Sequence, residues 1–190
     1  MVYQLEIPDN SNWDTASDIT YAVDNSGDYA DGSFSRIGYH LQLDDEWVFA
    51  SINTWTSKAD LLGVPVDVEI GSEYVGRLNI VSNAAALKNL TGTSHMTADL
   101  EFWSNCYGSI DGSYDSNDAA STDDCYGSWQ VHTEDGTTVF AFNAWSHSST
   151  TRISDLGIGD YTGSTHTDWT FAGNADDFTV KTMSVFVLPN

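Results

Sequence analysis

Residues 37–43 have the sequence Ile-Gly-Tyr-His-Leu-Gln-Leu, in which the large apolar side chains stand at every second position. Such alternation places apolar side chains on one face of a β-strand and the others on the opposite face. The pattern recurs at residues 2–7, 48–52, 100–103, 129–132, 138–145 and 178–188. Asp-Gly, Ser-Gly and Asn-Ser clusters separate these runs, and such clusters favour hairpins and loops.

Few segments favour a helix. Residues 57–62 could form one or two turns before Gly63 and Pro65, and residues 82–90 could form a short helix that begins at Ser82 or Asn83. Many short strands with so little helix predict an all-β fold, an antiparallel two-sheet β-sandwich that is jelly-roll-like. The chain has 190 residues, no linker and no repeat of fixed period, so we predict one domain spanning residues 1–190.

Composition excludes several classes of partner. The chain has 28 Asp and Glu against 6 Lys and Arg, a net charge of −22, so we expect neither nucleic acid nor an anionic membrane surface to bind it. No run of about 18 apolar residues is present, so we expect no membrane insertion. A strand pattern follows Met1 directly, and we therefore expect a domain taken from a longer chain.

The acidic residues are mostly aspartates in turns rich in Gly, Ser and Asn. Calcium takes about six to eight oxygen ligands, many of them loop carboxylates and loop carbonyls. The sequence therefore predicts bound Ca²⁺ on at least one loop. The alternative is an adaptation to solubility or salt that requires no specific ion.

Residues 101–105, Glu-Phe-Trp-Ser-Asn, form the first candidate site. If they form a strand, Glu101, Trp103 and Asn105 share one face. Glu101 and Asn105 suit a hard cation, and Trp103 suits a sugar ring or an apolar side chain. Alternatively, Trp103 packs under a loop and Glu101 is merely solvated.

The stretch between Cys106 and Cys125 is the second candidate. It is densely acidic and ends in Asp123 and Asp124, but it matches no helix–loop–helix calcium motif. A disulfide between the two cysteines would contribute roughly 3 kcal/mol and would imply an oxidising compartment. We expect this disulfide because both cysteines lie at loop edges; the alternative is a pair of free buried thiols.

The third candidate lies at residues 154–174. Gly157 and Gly159 would allow tight turns that point carbonyl oxygens at an ion, and Asp155, Asp160 and Asp168 could supply the charge. An ordinary turn rich in Gly and Asp is the alternative. We predict that Trp103, Tyr126 and Trp145 form the aromatic wall of a ligand cleft.

Catalytic motifs are absent from the sequence. It has no Gly-x-Ser-x-Gly elbow and no His-Glu-x-x-His, and none of its five His residues has a nucleophile at a recognisable spacing. Glu101 with Asp155 or Asp168 could act as a glycosidase pair, but so acidic a chain always offers some such pair. We therefore expect no enzymatic activity.

Several blocks of sequence, taken together, resemble a known family. They are residues 2–8 (Val-Tyr-Gln-Leu-Glu-Ile-Pro), 32–39 (Gly-Ser-Phe-Ser-Arg-Ile-Gly-Tyr), 47–51 (Trp-Val-Phe-Ala-Ser), 158–160 (Ile-Gly-Asp) and 168–172 (Asp-Trp-Thr-Phe-Ala). They resemble the ligand-binding domains near the distal end of giant bacterial repeats-in-toxin (RTX) adhesins, in particular the peptide-binding type. Similar blocks occur in accessory domains beside esterases of marine bacteria. The cysteine-bracketed stretch departs from the pattern.

The resemblance implies a calcium-rich β-sandwich exported to the bacterial cell surface. In such adhesins, Ca²⁺ held by loops helps to bind a ligand, including the free carboxylate of a peptide end. We accordingly predict a non-catalytic, calcium-dependent recognition domain, a monomeric module of a larger secreted chain. Its metal ligands come from the set Glu101, Asn105, Asp123, Asp124, Asp155, Asp160 and Asp168. The alternative is a carbohydrate-binding module with a glycan ligand.

Overall fold

The computed structural model describes residues 1–7, 9, 21–29, 32–53, 71–103, 128–148, 151–159 and 174–190. Most of these residues lie in two antiparallel β-sheets. The six-stranded sheet contains β1 (Tyr3–Glu6), β2 (Tyr21–Asp24), β3 (Phe34–Leu43), β4 (Glu46–Ile52), β6 (Asn79–Ser82) and β11 (Lys181–Pro189), in the order β2-β1-β11-β3-β4-β6. The five-stranded sheet contains β5 (Gly71–Gly76), β7 (Thr97–Trp103), β8 (Ser128–Thr133), β9 (Thr138–Ser148) and β10 (Thr151–Ile158), in the order β10-β9-β8-β7-β5.

The two sheets confirm the predicted all-β fold, a sandwich of two antiparallel sheets. All seven of the predicted strand segments contain a strand. The segment predicted as a short helix at residues 82–90 contains a single 3₁₀ turn, Ala85–Leu87, and two further 3₁₀ turns are described at Ser26–Tyr29 and Ala175–Asp177. The helix predicted at residues 57–62 lies outside the described residues.

One hydrophobic core joins the two sheets. The six-stranded sheet contributes the odd positions of β3 (Ile37, Tyr39, Leu41, Leu43) and the even positions of β4 (Val48, Ala50, Ile52), all of which are buried. The five-stranded sheet contributes Ala98, Val131, Phe140, Phe142, Leu156 and Ile158. The alternation at residues 37–43 therefore marks the inner face, because one face of each strand must exclude water.

The strands nearest the two chain ends lie side by side in the six-stranded sheet. Tyr3 of β1 pairs with Val185 of β11, and β11 pairs in turn with β3 over its whole length. Asp44, in the β3–β4 turn, has a φ of 50° and accepts hydrogen bonds from the backbone N–H groups of Thr179 and Val180, both at 2.8 Å. This carboxylate joins the hairpin to the start of β11.

Candidate functional site

Four of the predicted site residues lie on strands of the five-stranded sheet. Glu101 and Trp103 belong to β7, Trp145 belongs to β9 and Asp155 belongs to β10. Asn105, Asp123, Asp124, Asp160, Asp168, Tyr126, Cys106 and Cys125 lie outside the described residues. Their predicted roles, and the predicted disulfide, stay predictions.

The strand pairing gathers these four residues from distant parts of the chain. Trp103 is the Cα partner of Ser128, Ser128 is the partner of Asn143, and Asn143 is the partner of Asp155. Trp103 and Asp155 therefore stand at the two ends of one row that crosses β7, β8, β9 and β10.

Glu101 lies in another row, and Trp145 pairs with Ile153 two positions along β9 from Asn143. Residues more than 50 positions apart thus lie within a few cross-strand spacings of about 4.8 Å.

The gathered residues lie at one end of the sheet. β7 ends at Trp103 and β8 begins at its partner Ser128, so the two strand ends that border segment 104–127 both lie at this end. The β9–β10 connection follows Ser148 at the same end. Asn105, Asp123, Asp124 and Tyr126 therefore belong to a segment that is attached to the sheet at Trp103 and Ser128, two neighbouring members of the Trp103–Asp155 row, whereas Asp160 and Asp168 follow the opposite end of β10.

The prediction that Asp155 and Gly157 belong to a turn is wrong. Both lie in β10, where Asp155 pairs with Asn143 and Gly157 pairs with Ala141. Of Asp155, Gly157 and Gly159, only Gly159 adopts a positive φ, 74°, and it lies just after the strand. Alternating apolar residues are interrupted here because β10 is an edge strand among the strands that the structure describes, and an edge strand tolerates polar residues and glycine more readily than an interior strand.

The row that contains Glu101 has buried polar neighbours. Gln130, the partner of Glu101, is 0% exposed, and its Oε1 lies 3.2 Å from Nε2 of His132. His132 is also buried, and its Nδ1 lies 3.5 Å from Oγ1 of Thr138. β8 is therefore buried on both faces at this level, since Val131 between Gln130 and His132 belongs to the core. Among the side chains that the structure describes, no three His, Cys, Asp or Glu groups approach one another closely enough to hold a metal ion.

The structure also reveals a cluster of rings that the sequence interpretation missed. His40 on β3, Trp47 and Phe49 on β4, and Phe186 on β11 lie together on the outer face of the six-stranded sheet, and each is half-buried. The ring centroids are 5.9 Å apart for His40 and Trp47, 6.5 Å for His40 and Phe186, and 6.0 Å for Phe49 and Phe186. We call these four residues the aromatic strip.

Gly38 explains how the rings fit together. A Cβ atom built on Gly38 would lie 2.2 Å from Cζ of Phe49, so the Phe49 ring lies directly over this glycine. Phe186 is the Cα partner of Gly38 on the other side. The missing side chain lets two phenylalanines from different strands meet edge to face above β3, an arrangement that aromatic pairs favour.

Hydrogen-bonding groups flank the aromatic strip. Gln4 on β1 donates to Oγ of Ser184 at 3.3 Å, and Ser184 is the partner of His40. On the other side, Arg36 donates to Oγ of Ser51 at 3.0 Å. Burial of His40 among the rings lowers its pKa, so the imidazole is neutral near pH 7.

A signal for the aromatic strip was present in the alternation itself. His40, Trp47, Phe49 and Phe186 all occupy the strand positions that alternate with the inward-facing ones, and an exposed sheet face ordinarily carries polar side chains at such positions. Counting aromatic residues as core hides them, whereas assigning each to a face by its parity finds them.

Comparison of the chain with family models, with curated proteins and with solved structures gives no match. None of the described helices is long and apolar enough to cross a membrane.

Proposed function

We propose that this domain is a non-catalytic, calcium-dependent recognition module of a secreted RTX-type bacterial adhesin. It binds a peptide terminus on a target cell surface at the β7–β8 end of the five-stranded sheet. The resemblance stated above supplies the adhesin and peptide parts of this proposal, and the composition supplies the calcium part. One structural observation supports the location: Trp103 and Asp155, 52 positions apart, share a cross-strand row beside the ends of the acidic segment 104–127.

Calcium gives an acidic protein a means of holding an anionic ligand. A Ca²⁺ ion held by several carboxylates reverses the sign of the local field, and an incompletely coordinated ion attracts a ligand carboxylate. Without the ion, a domain of charge −22 repels such a group. The proposal therefore requires that binding and calcium depend on each other.

A peptide array tests the proposal. Each peptide is presented in two versions, one with a free C-terminal carboxylate and one with an amidated C-terminus. We expect binding in CaCl₂ to a subset of free-carboxylate peptides, with loss of binding in EDTA and on amidation. Asp155→Asn and Glu101→Gln are expected to weaken calcium-dependent binding about tenfold or more. Asp177→Asn, an exposed residue on the 3₁₀ turn Ala175–Asp177, changes the net charge equally and is the matched control.

Binding that is the same in EDTA, or the absence of any bound peptide, contradicts the proposal. Calcium-dependent binding to a parallel glycan array, with none to peptides, would replace the peptide with a sugar ligand at the same site.

A further inference from the structure

We propose that the aromatic strip is a second binding face, independent of calcium, which takes a neutral polysaccharide chain. This inference concerns the six-stranded sheet and does not rest on the calcium site proposed for the other sheet. It begins from an arrangement that a sandwich does not need for its own core: four half-buried rings on an outer face, at strand positions that alternate with the inward-facing ones.

The aromatic strip runs across three neighbouring strands. Phe186 lies on β11, His40 on β3, and Trp47 and Phe49 on β4, with strands about 4.8 Å apart. Val81 on β6, the partner of Phe49, continues the apolar surface towards the sheet edge and is 47% exposed. The rings also step along the strands, since Phe186 pairs with Gly38, Phe49 with His40, and Trp47 with Gln42. The surface is therefore elongated diagonally over the sheet, which suits a chain-like ligand better than a compact one.

The rings are held in place before any ligand arrives. Phe49 lies over Gly38, and it meets Phe186 at an interplanar angle of 63°, while His40 meets Phe186 at 87°. Rings that are fixed by one another lose little conformational freedom on binding, which lowers the entropic cost of association.

The polar groups beside the rings match the chemistry of a sugar. A pyranose presents C–H groups on its faces and hydroxyl groups around its edge, so it needs a ring to stack on and an amide or hydroxyl close by. Gln4 is half-buried and lies in the same cross-strand row as His40 and Phe49, next to Ser184, which is buried. The Gln4 amide uses one N–H in its bond to Ser184, and an amide group has a second N–H and a carbonyl oxygen.

The net negative charge of the chain favours a neutral ligand over an anionic one. The four residues of the aromatic strip carry no acidic group and His40 is neutral near pH 7, whereas the whole chain carries a charge of −22. Sulfated or carboxylated polysaccharides, anionic membranes and a second copy of this chain are all repelled by such a charge. A neutral polysaccharide loses nothing to this repulsion and can use the rings and amides fully.

Affinity electrophoresis in native gels tests the proposal, with EDTA present throughout. The gels contain hydroxyethylcellulose, galactomannan or laminarin as neutral polysaccharides, and alginate as the anionic control. We expect retardation by at least one neutral polysaccharide and none by alginate. Trp47→Ala and Phe186→Ala are expected to weaken the retarding interaction about tenfold or more, as the loss of an aromatic anchor does. Met96→Ala, which removes a 69% exposed apolar side chain elsewhere, should leave it unchanged.

Gly38→Ala provides a variant that keeps every ring. The new methyl group displaces Phe49 from its position over the strand, so we expect weakened retardation with circular dichroism unchanged. Retardation by none of the neutral polysaccharides, or equal retardation of the wild type and both ring variants, overturns the proposal. So does retardation that is absent from the EDTA gels and seen only in parallel gels that contain CaCl₂ instead. Because the gels contain EDTA, their result is independent of the peptide-binding experiment.

Discussion

Asn174 shows how a single side chain can replace a missing strand. It is 6% exposed, its Oδ1 accepts from the backbone N–H of Leu156, and its Nδ2 donates to the carbonyl of Leu156, both at 2.8 Å. An amide that makes both bonds imitates a backbone peptide group. Leu156 belongs to β10, which is an edge of the described sheet, so Asn174 pairs edge groups that would otherwise be open to another chain.

Replacing Asn174 by Ala should destabilise the domain by about 2–3 kcal/mol, because two buried backbone groups of Leu156 lose their partners together. Chemical denaturation with a two-state fit measures this change in the free energy of unfolding. Asp177→Ala, an exposed substitution in the 3₁₀ turn that follows Asn174, should change it by less than about 0.5 kcal/mol. Equal stability of Asn174→Ala and the wild type would show that these hydrogen bonds contribute nothing net.

At the scale of whole elements, the sequence pattern predicted the interior of both sheets and missed their edges. The seven strands that alternation predicts are β1, β3, β4, β7, β8, β9 and β11. The four described strands that it missed are β2, β6, β5 and β10, which are the two edges of each sheet. An interior strand must present a continuous apolar face to the core, whereas an edge strand can be short or polar and still pair on one side.

The same physical reason limits prediction of the candidate sites. The residue types of the calcium proposal could be chosen from the sequence. The row that contains both Trp103 and Asp155 depends on strand register, and the sequences of two separate strands do not determine how they pair. The aromatic strip depends on three strands and a glycine, so it becomes visible only when β11, β3 and β4 are placed side by side.

Gly159 connects β10 to the turn Ala85–Leu87, and this packing supports a prediction. Its φ is 74°, and a Cβ there would lie 2.6 Å from Cβ of Ala86 and 3.2 Å from Cδ2 of Leu87. Gly159→Ala therefore combines a left-handed backbone penalty with overpacking, and we expect a loss of about 2–4 kcal/mol. Thermal and chemical denaturation measure it.

Gly92→Ala separates the two contributions. Gly92 has a similar φ of 78°, but a Cβ there would have nothing within 4 Å. We expect a loss of about 1–2 kcal/mol from the backbone conformation alone. If the two alanine variants lose the same free energy of unfolding, then overpacking against Ala86 contributes nothing to the loss in Gly159→Ala.

At the scale of the whole molecule, the charge is the dominant feature. Six basic side chains cannot balance 28 acidic ones, even though Lys181 pairs with Asp9 and His95 lies 3.2 Å from Glu134. Self-repulsion at −22 favours the expanded, unfolded chain, and any cation reduces that repulsion. Stabilisation by a divalent ion can therefore arise either from general screening of the net charge or from binding at a specific site, and an experiment must distinguish the two.

The salt concentration at which stabilisation appears distinguishes general screening from specific calcium binding. Sodium acts by screening, which becomes strong only near 0.1 M, where the Debye length is about 10 Å. Bound Ca²⁺ stabilises by mass action, about 2.7 kcal/mol at 100 times its dissociation constant. For a domain of this size we therefore expect millimolar CaCl₂ to raise the Tm by about 5–10 °C, and NaCl of equal ionic strength to leave it nearly unchanged. Asp155→Asn should reduce the calcium increment, while Asp177→Asn retains it. If calcium and sodium act alike at matched ionic strength, then the aspartates serve solubility, and the calcium proposal fails while the aromatic strip remains to be judged by its own experiment.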